Sequence, residues 1–136
     1  MSVYNVLNAA IYSKLTGGTA LTAILSGGTA SIYGKQATDG AALPYVVFSP
    51  VAGGPLNICP ADMRDMVYFV RGYSLSDAGA GSIDAQISSL LHGGSLSVSG
   101  YTNYNIVREQ DFSMIENLPS GQKVYMAGAN YRISLS

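Results

Sequence analysis

The spacing of apolar residues changes its period in the middle of the chain. Residues 66–70 form a β-branched and aromatic run that is apolar on both faces, which predicts a central strand covered on each side. After it, apolar residues recur at helical spacing until Gly93 and Gly94 interrupt the pattern. The residues of this stripe are Ile83, Ile87, Leu90 and Leu91. We therefore expect a helix over 77–91 that lies across the sheet, with a first turn weakened by two glycines.

Helical spacing also marks the N-terminal segment. Ser2 is placed to cap a helix that runs to about Leu15 and ends at the Gly17–Gly18 pair. The apolar stripe of this helix is Val3, Leu7, Ala10, Ile11 and Leu15. A short helical turn over 20–25 and a brief strand over 31–33 are predicted to follow it.

The other strands are predicted from β-branched runs and from strict alternation. They are 45–48, 95–99, 104–113 and 123–135. The stretch 104–113 alternates as a half-exposed or edge strand does, and Gly128 predicts a bulge or bend in the last strand. Two helices and a mainly antiparallel sheet, without an internal repeat or a domain boundary, predict a single α+β domain over residues 1–136.

Two stretches between the predicted strands are expected to be loops. Residues 52–65 contain glycine, proline and aspartate, which is typical of a long mobile connection that contacts a partner. A slack hairpin loop is an equally good interpretation of the same residues. The second stretch, 110–121, contains a predicted turn at 117–121.

The composition of the chain indicates that its surface carries few charges. Apolar residues make up 48% of the sequence and charged residues only 11%, against about 25% in an ordinary soluble domain. A surface with so few charges is poorly protected against association. The ten tyrosines add a residue type that is enriched at protein interfaces. These features favour an assembly subunit and a small domain with a polar but uncharged surface about equally.

Charge and cysteine content exclude several classes of protein. The net charge is −1 and the basic residues are scattered, so the sequence offers no field for nucleic acid or an anionic membrane. The single cysteine excludes an internal disulfide framework. No apolar run approaches the ~20 residues of a membrane span, and no signal peptide is recognised. We expect a protein that is made in a cytoplasm and does not bind membranes.

The residues that could carry chemistry lack suitable neighbours in the sequence. His92 stands at the end of the predicted helix, where it favours the helix dipole, and Cys59 has no histidine near it. Glu109 and Asp111 share a strand face, which could serve acid–base work but more simply forms a polar surface. No spacing fits a metal site or a phosphate loop. The sequence predicts no catalytic residue, no cofactor and no metal.

The order of these patterns resembles one protein family. Its parts are an N-terminal amphipathic helix, the short segment 20–25, Ile32–Tyr33, the run 43–48, a strand at 67–73 that leads into the helix at 77–91, and the closing strand 125–135. This layout is similar to that of the tail terminator, or tail completion, proteins of long-tailed bacteriophages. The resemblance covers nearly the whole chain.

The resemblance implies a structural virion protein and not an enzyme. Proteins of this kind form a ring, usually of six copies, at the head-proximal end of the tail tube, where they end tube polymerisation and join the head connector. The implied partners are further copies of the chain, the tail tube protein and the head-completion or connector protein. DNA that passes through the ring would be contacted only non-specifically.

We expect the two predicted loops to make the axial contacts of such a ring. The candidate interaction residues are Gly53, Gly54, Asn57, Asp62, Arg64, Asp65, Asp111, Glu116 and Asn117. Two alternatives stay open at this point. One is another neck or tube subunit, such as a head–tail connector. The other is a small ligand-binding or enzymatic α+β domain that uses Cys59, His92 or the Glu109/Asp111 pair.

Overall fold

The computed structural model describes residues 3–37, 41–55 and 63–136. Within these residues three α-helices and five strands follow one another, with a 3-10 turn (Gly28–Ser31) before the first strand. The helices are α1 (Val3–Thr16), α2 (Thr19–Thr22) and α3 (Asp77–Leu91). The strands are β1 (Ile32–Gly34), β2 (Tyr45–Pro55), β3 (Arg64–Ser74), β4 (Asn103–Asn117) and β5 (Lys123–Leu135).

The five strands form one sheet in the order β1-β2-β3-β5-β4. The short β1 runs parallel to β2, and every other neighbouring pair is antiparallel. The predicted α+β class with a mainly antiparallel sheet is therefore confirmed. The run at 66–70 does form the centre of the sheet, because β3 lies between β2 and β5.

The hydrophobic core lies between the sheet and the two long helices. On α3 the buried residues keep helical spacing, as predicted. They are Ala80, Ile83, Ile87 and Leu91. Burying an isoleucine or leucine side chain stabilises the fold by roughly 1.5–3 kcal/mol, which outweighs the weak helix propensity of Gly79 and Gly81. The first turn is also capped, since the Ser76 hydroxyl accepts a hydrogen bond of 3.0 Å from the Gly79 amide.

Two contacts show how closely the helices approach the sheet. Gly72 on β3 faces α3, and a Cβ atom at this position would overlap the Ile83 side chain. The fully buried Tyr68 donates a hydrogen bond from its hydroxyl to Asn8 Oδ1 on α1. Burial raises the pKa of this hydroxyl above its ordinary value, with a smaller contribution from Tyr4. Both helices therefore lie on the same face of the sheet.

The prediction that β3 is covered on both faces is wrong for the described residues. Its side chains alternate between buried and half-buried along the strand, because both long helices pack on one face only. The run is apolar on both faces, yet one of those faces is left partly open.

The stretch 95–99 is not a strand, although its alternation is real. Leu96 and Val98 are buried in the core, and the residues between them are exposed. The Leu96 amide donates a hydrogen bond of 2.9 Å to Asn103 Oδ1, so its partner is a side chain and not a strand. Packing on a core can thus produce period-two alternation in a loop. The helical turn predicted at 20–25 is also shorter, ending at Thr22.

The region predicted as a long loop at 52–65 contains the ends of two paired strands. β2 continues to Pro55, which pairs with Arg64 on β3, so Gly53, Gly54, Arg64 and Asp65 lie in a hairpin. The strand passes Pro50 because the register shifts by a bulge between Pro50 and Ala52. Asn57, Cys59 and Asp62 lie outside the described residues.

The second predicted loop is also mostly strand. β4 extends to Asn117, and Asp111, Glu116 and Asn117 pair with residues of β5. Only the short connection 118–122 separates the two strands. The mutual pairing of β4 and β5 outweighs the polar composition that suggested a loop.

Candidate interaction surfaces

The face of the sheet opposite the helices is the first candidate surface, and we call it the open face. Its members follow from the register, because residues directly opposite each other on paired strands share a face. Those that are half-buried or exposed include Tyr45, Ser49, Val67, Phe69, Arg71, Tyr73, Phe112 and Met114. An antiparallel sheet usually presents polar residues on its solvent face, whereas the part of this face around Phe69 and Tyr73 is apolar and aromatic. Toward the Arg64 end the same face is polar and carries Asp65, Arg132 and Ser134.

The aromatic rings of the open face form two groups. The Tyr45 ring lies 5.8 Å from that of Tyr33 and 5.1 Å from that of Tyr73. The Phe69 and Phe112 rings are 5.1 Å apart and meet edge to face. Desolvation by burial raises the pKa of Tyr45 above its ordinary value, with a smaller contribution from Tyr73. The rings are therefore packed on each other and form a preformed surface.

Arg71 connects these two aromatic groups. Its guanidinium carbon lies 4.7 Å from the centroid of the Phe69 ring. Its Nε donates a hydrogen bond of 3.1 Å to the Tyr73 hydroxyl, and its Nη1 donates one of 3.0 Å to Ser49 Oγ. Among the described residues no carboxylate forms an ion pair with Arg71. Arg71 is thus a cation of the open face that is held flat by neutral partners, whereas Arg132, opposite Val67, pairs with Asp65 and Glu109.

A groove of about 430 Å³ lies at one end of the open face. Its lining includes Lys35, Tyr45, Arg71, Glu116 and Val124. The groove is broad and mixes apolar, acidic and basic side chains. It contains none of the described residues that were considered for a small-ligand site, because His92, Glu109 and Asp111 lie elsewhere.

These three residues have structural partners of their own. The His92 Nδ1 accepts a hydrogen bond of 3.1 Å from the Arg108 amide, which ties the end of α3 to β4. Glu109 forms an ion pair of 3.1 Å with Arg132 Nε, and Asp111 forms one of 2.6 Å with Arg108 Nε. Each carboxylate is therefore engaged by an arginine, which is not the arrangement of a free acid–base pair.

Arg108 joins β4 to the rest of the fold. Its guanidinium contacts Asp84 on α3 at 2.7 Å and the Tyr131 hydroxyl on β5 at 3.0 Å. Hydrogen bonding to Asp84 raises the pKa of Arg108 above its ordinary value, more than burial lowers it. The inner part of β4 is thereby fixed to α3 and β5.

The candidate residues from the two predicted loops lie at opposite ends of the sheet. Arg64 pairs with both Pro55 and Leu135 at one end, while Asn117 pairs with Lys123 at the other. The 11 residues of β3 separate these ends by roughly 33 Å. At the first end Asp65 accepts hydrogen bonds from Arg132 Nη1 at 3.2 Å and from Ser134 Oγ at 2.9 Å. Glu116 and Asn117 are exposed at the second end, and Asp111 lies between the ends.

The second half of β4 lies in the nominated stretch 110–121, but the sequence analysis did not name the exposed apolar residues in this half-strand and just beyond it. Phe112, Met114, Ile115 and Leu118 are exposed by 37%, 51%, 58% and 40%. The signal was present in the sequence, because apolar residues at both odd and even positions of an edge strand must leave one of them in solvent. The alternation of 104–113 nevertheless identified the edge strand correctly.

In the part of the chain that the structure describes, no group of three or more His, Cys, Asp and Glu side chains is arranged to hold a metal ion. None of the described helices has the length and apolar character needed to cross a membrane.

The fold and its surfaces define a structural subunit, whose distinctive features are a partly open apolar sheet face and an exposed sheet edge. Residues 9–133 match the model of the family described as tail completion protein gp17, and the chain belongs to this family. The predicted resemblance to tail completion proteins is thereby confirmed. The protein is a structural component of a phage-like virion, located in its tail.

Comparison with solved structures shows the same fold in another particle. A chain of the structure described as "Virion of native gene transfer agent (GTA) particle" superposes with a TM-score of 0.80 at 16% sequence identity. The superposition covers 98% of this chain and 97% of the other. A search of the curated proteins finds no match.

Proposed function

We propose that the protein forms a ring, of six copies as the family resemblance implies, at the head-proximal end of the tail tube. There it ends tube polymerisation and presents the surface that joins the head connector. The observation that carries this proposal is the open face. A chain of this size that keeps Val67, Phe69 and Tyr73 only half-buried on a central strand has a surface suited to a further copy.

The unlike faces of the subunit favour a head-to-tail contact. One side of the molecule carries helices, and the other carries the aromatic open face with Arg71. Contacts between two different surfaces of identical subunits generate a closed ring when the rotation between neighbours closes. We therefore assign the open face to the contact between neighbouring copies.

The two ends of the sheet suit the two axial contacts. A strand about 33 Å long can present one end to the tube and the other to the connector, provided that the sheet stands along the ring axis. In this arrangement Gly53, Gly54, Arg64 and Asp65 serve one contact, and Glu116 and Asn117 serve the other. The net charge of −1 suits a ring that lets DNA pass without holding it tightly.

The first test is the solution mass of the purified chain by light scattering over a range of concentrations, alone and with tail tubes assembled without this protein. We expect a discrete closed oligomer, or a monomer that becomes one on the tube. Electron microscopy should show rings at tube ends and no lengthening of the tube. A chain that stays monomeric at every concentration and in the presence of tail tubes would overturn the proposal.

A matched pair of substitutions tests the open face itself. Phe69→Asp places a charge among the rings of the open face and should abolish the ring. Ile24→Asp changes a side chain that is 40% exposed and lies in no strand of the sheet, and should leave the ring intact. Circular dichroism checks that both variants are folded. Equal loss of the ring in both would exclude the open face as the contact.

The second candidate function is another ring-forming subunit of the neck or tube, because the open face would suit such a ring equally. A tube subunit should polymerise into filaments of variable length when it is concentrated, whereas a terminator should stop at one ring. The same electron micrographs therefore separate the two functions.

A further inference from the structure

The sheet has two edges, and the one formed by the three-residue β1 and the uncovered part of β2 is poorly suited to strand addition. β1 covers only Val46, Val47 and Phe48 of β2. The Lys35 amide donates a hydrogen bond of 2.7 Å to the Phe48 carbonyl, which shows that the backbone of Phe48 faces outward. Pro50 is the next residue of β2 whose backbone faces outward, and proline has no N–H to donate. The bulge that follows Pro50 also breaks the register.

The first half of β4 is also closed, in this case by the chain itself. The Gly93 amide donates a hydrogen bond of 2.9 Å to the Ile106 carbonyl, and the Arg108 amide donates to His92 Nδ1 at 3.1 Å. His92 and the segment that follows α3 thus occupy the outward-facing carbonyl of Ile106 and the outward-facing amide of Arg108.

The second half of β4, residues 111–117, is the open edge of the sheet. Before the bulge in β4, the backbone groups of even-numbered residues such as Ile106 and Arg108 face outward. The bulge between Arg108 and Gln110 inserts one residue, so the odd-numbered residues face outward beyond it. Beyond the bulge they include Ser113 and Ile115. In the described part of the chain no hydrogen bond reaches the outward backbone groups of these two residues. The segment contains no proline, no lysine and no further bulge, which are the usual protections of an edge.

We propose that the open edge is a strand-addition site that takes an extended segment of a partner protein. The added strand would pair with the outward amides and carbonyls, while its side chains would pack against Ile115, which is exposed on the face opposite the open face. The open edge has two acidic side chains, of which Asp111 already pairs with Arg108, while Glu116 forms no ion pair among the described residues. Opposite charges favour cross-strand pairing, so the partner segment carries a lysine or arginine opposite Glu116.

A second copy of the chain is a poor occupant of this site. The β2 edge of another copy lacks the necessary donor at Pro50. Pairing two open edges antiparallel would bring acidic side chains of both copies into one small sheet. Such a pair would also have two-fold symmetry, which does not propagate around a ring. This last argument rests on the proposed function.

Hydrogen–deuterium exchange on the full chain tests the proposal. The two probes are tail tubes assembled without this protein and DNA-filled heads without tails. With one of the two, we expect exchange at the Ser113 and Ile115 amides to slow by at least tenfold. The Phe112 amide faces β5, and the Ile106 amide lies in the first half of β4, outside the open edge, so both should change little. Unchanged exchange at both open-edge amides with both probes would overturn the proposal.

A matched pair of substitutions at one position separates the backbone from the side chain. Ser113→Pro removes an outward amide without removing a donor to β5, and should weaken binding of the responding probe at least tenfold. Ser113→Ala keeps the amide and should bind as the original chain does. Glu116→Lys, which reverses a charge, should also weaken binding if the partner segment is basic. Equal binding by all of these variants would contradict strand addition.

The ring assay keeps this inference distinct from the proposed function. Rings that form and cap tubes normally, with no slowing of exchange at 111–117, would refute the strand-addition site alone. Failure of the unaltered chain to form a ring would refute the proposed function. Slowed exchange that rises with protein concentration in the absence of either probe would identify a second copy as the occupant and refute the partner strand.

Discussion

The two faces of the central strands are built from similar residue types but fit their surroundings differently. On the helix-covered face, Tyr68 and Val70 are fully buried, and Gly72 leaves just enough room for Ile83. On the open face of the same strand, Phe69, Arg71 and Tyr73 remain half-buried and contact mainly each other. The first face is complementary to its own helices and therefore serves folding. The second has partners only within the sheet and is available for assembly.

The largest effect is expected on the helix-covered face. Ile87→Ala removes a fully buried side chain of α3 and should lower the free energy of unfolding by about 2–5 kcal/mol, because a cavity remains. Urea denaturation measures this change. The protein that stays folded should still form rings, since the open face is unaltered. A cost below about 1 kcal/mol would show that the two faces differ less than their burial indicates.

A smaller loss is expected from overfilling the same face. Gly72→Ala introduces a Cβ atom that overlaps Ile83, and should lower the free energy of unfolding by about 1–3 kcal/mol. Gly54→Ala is the matched control, since a Cβ there meets no atom within 4 Å. Thermal unfolding of both variants compares them directly. Similar melting temperatures would mean that α3 can shift to accept the extra atom.

A still smaller effect on stability is expected on the open face. Arg71→Lys keeps the charge but loses the planar group that stacks on Phe69 and bonds both Ser49 and Tyr73. We expect a loss of less than about 1 kcal/mol, because cation–π contacts at partly exposed sites are weak. Ring assembly should nevertheless need a higher protein concentration, as light scattering would show. A large loss of stability with unchanged assembly would reverse the roles assigned to the faces.

The last prediction concerns how the stability falls at alkaline pH, through Tyr68. Its folded-state pKa is raised, so the folded protein binds this proton more tightly than the unfolded chain does. The stability linked to this proton is fully present below the unfolded pKa of about 10 and is lost as the pH rises above it. Tyr68→Phe should therefore flatten the alkaline fall in the free energy of unfolding, measured by urea denaturation between neutral and alkaline pH. An unchanged slope would assign that fall to Tyr45 and Tyr131, whose pKa values are also raised.

Much of the fold was predictable because local patterns and tertiary packing agree. The stripe at Ile83, Ile87 and Leu91 is buried as its spacing indicates, and the strand at 66–70 is central. The prediction failed where a residue type occurs both in loops and in irregular strands. Pro50 and Gly53 resemble loop residues, but a bulge lets β2 continue past them, and only the partner strand decides this.

The candidate surfaces were harder to predict, because the sequence pattern of a strand does not distinguish a buried apolar residue from an exposed one. Val67 and Phe69 alternate with Tyr68 and Val70 in one apolar run, so the sequence cannot show which face the helices cover. The register brings Phe112 beside Phe69 from a distant part of the chain. The nominated residues Glu116 and Asn117 do lie at a sheet end, and their role in assembly stays a prediction.

The strand order has a consequence for how the chain folds. β2 with β3 and β4 with β5 are neighbours in sequence, so each pair can form as a hairpin within microseconds. The central pairing of β3 with β5 joins residues as distant as Arg64 and Leu135, about half the chain apart. Closing that long loop has an entropic cost that must be met before the contacts form, so we expect it to be the slow step of folding. Folding of the monomer thus resembles the docking of two preformed halves, and the helix between them, α3, packs on both β3 and β5.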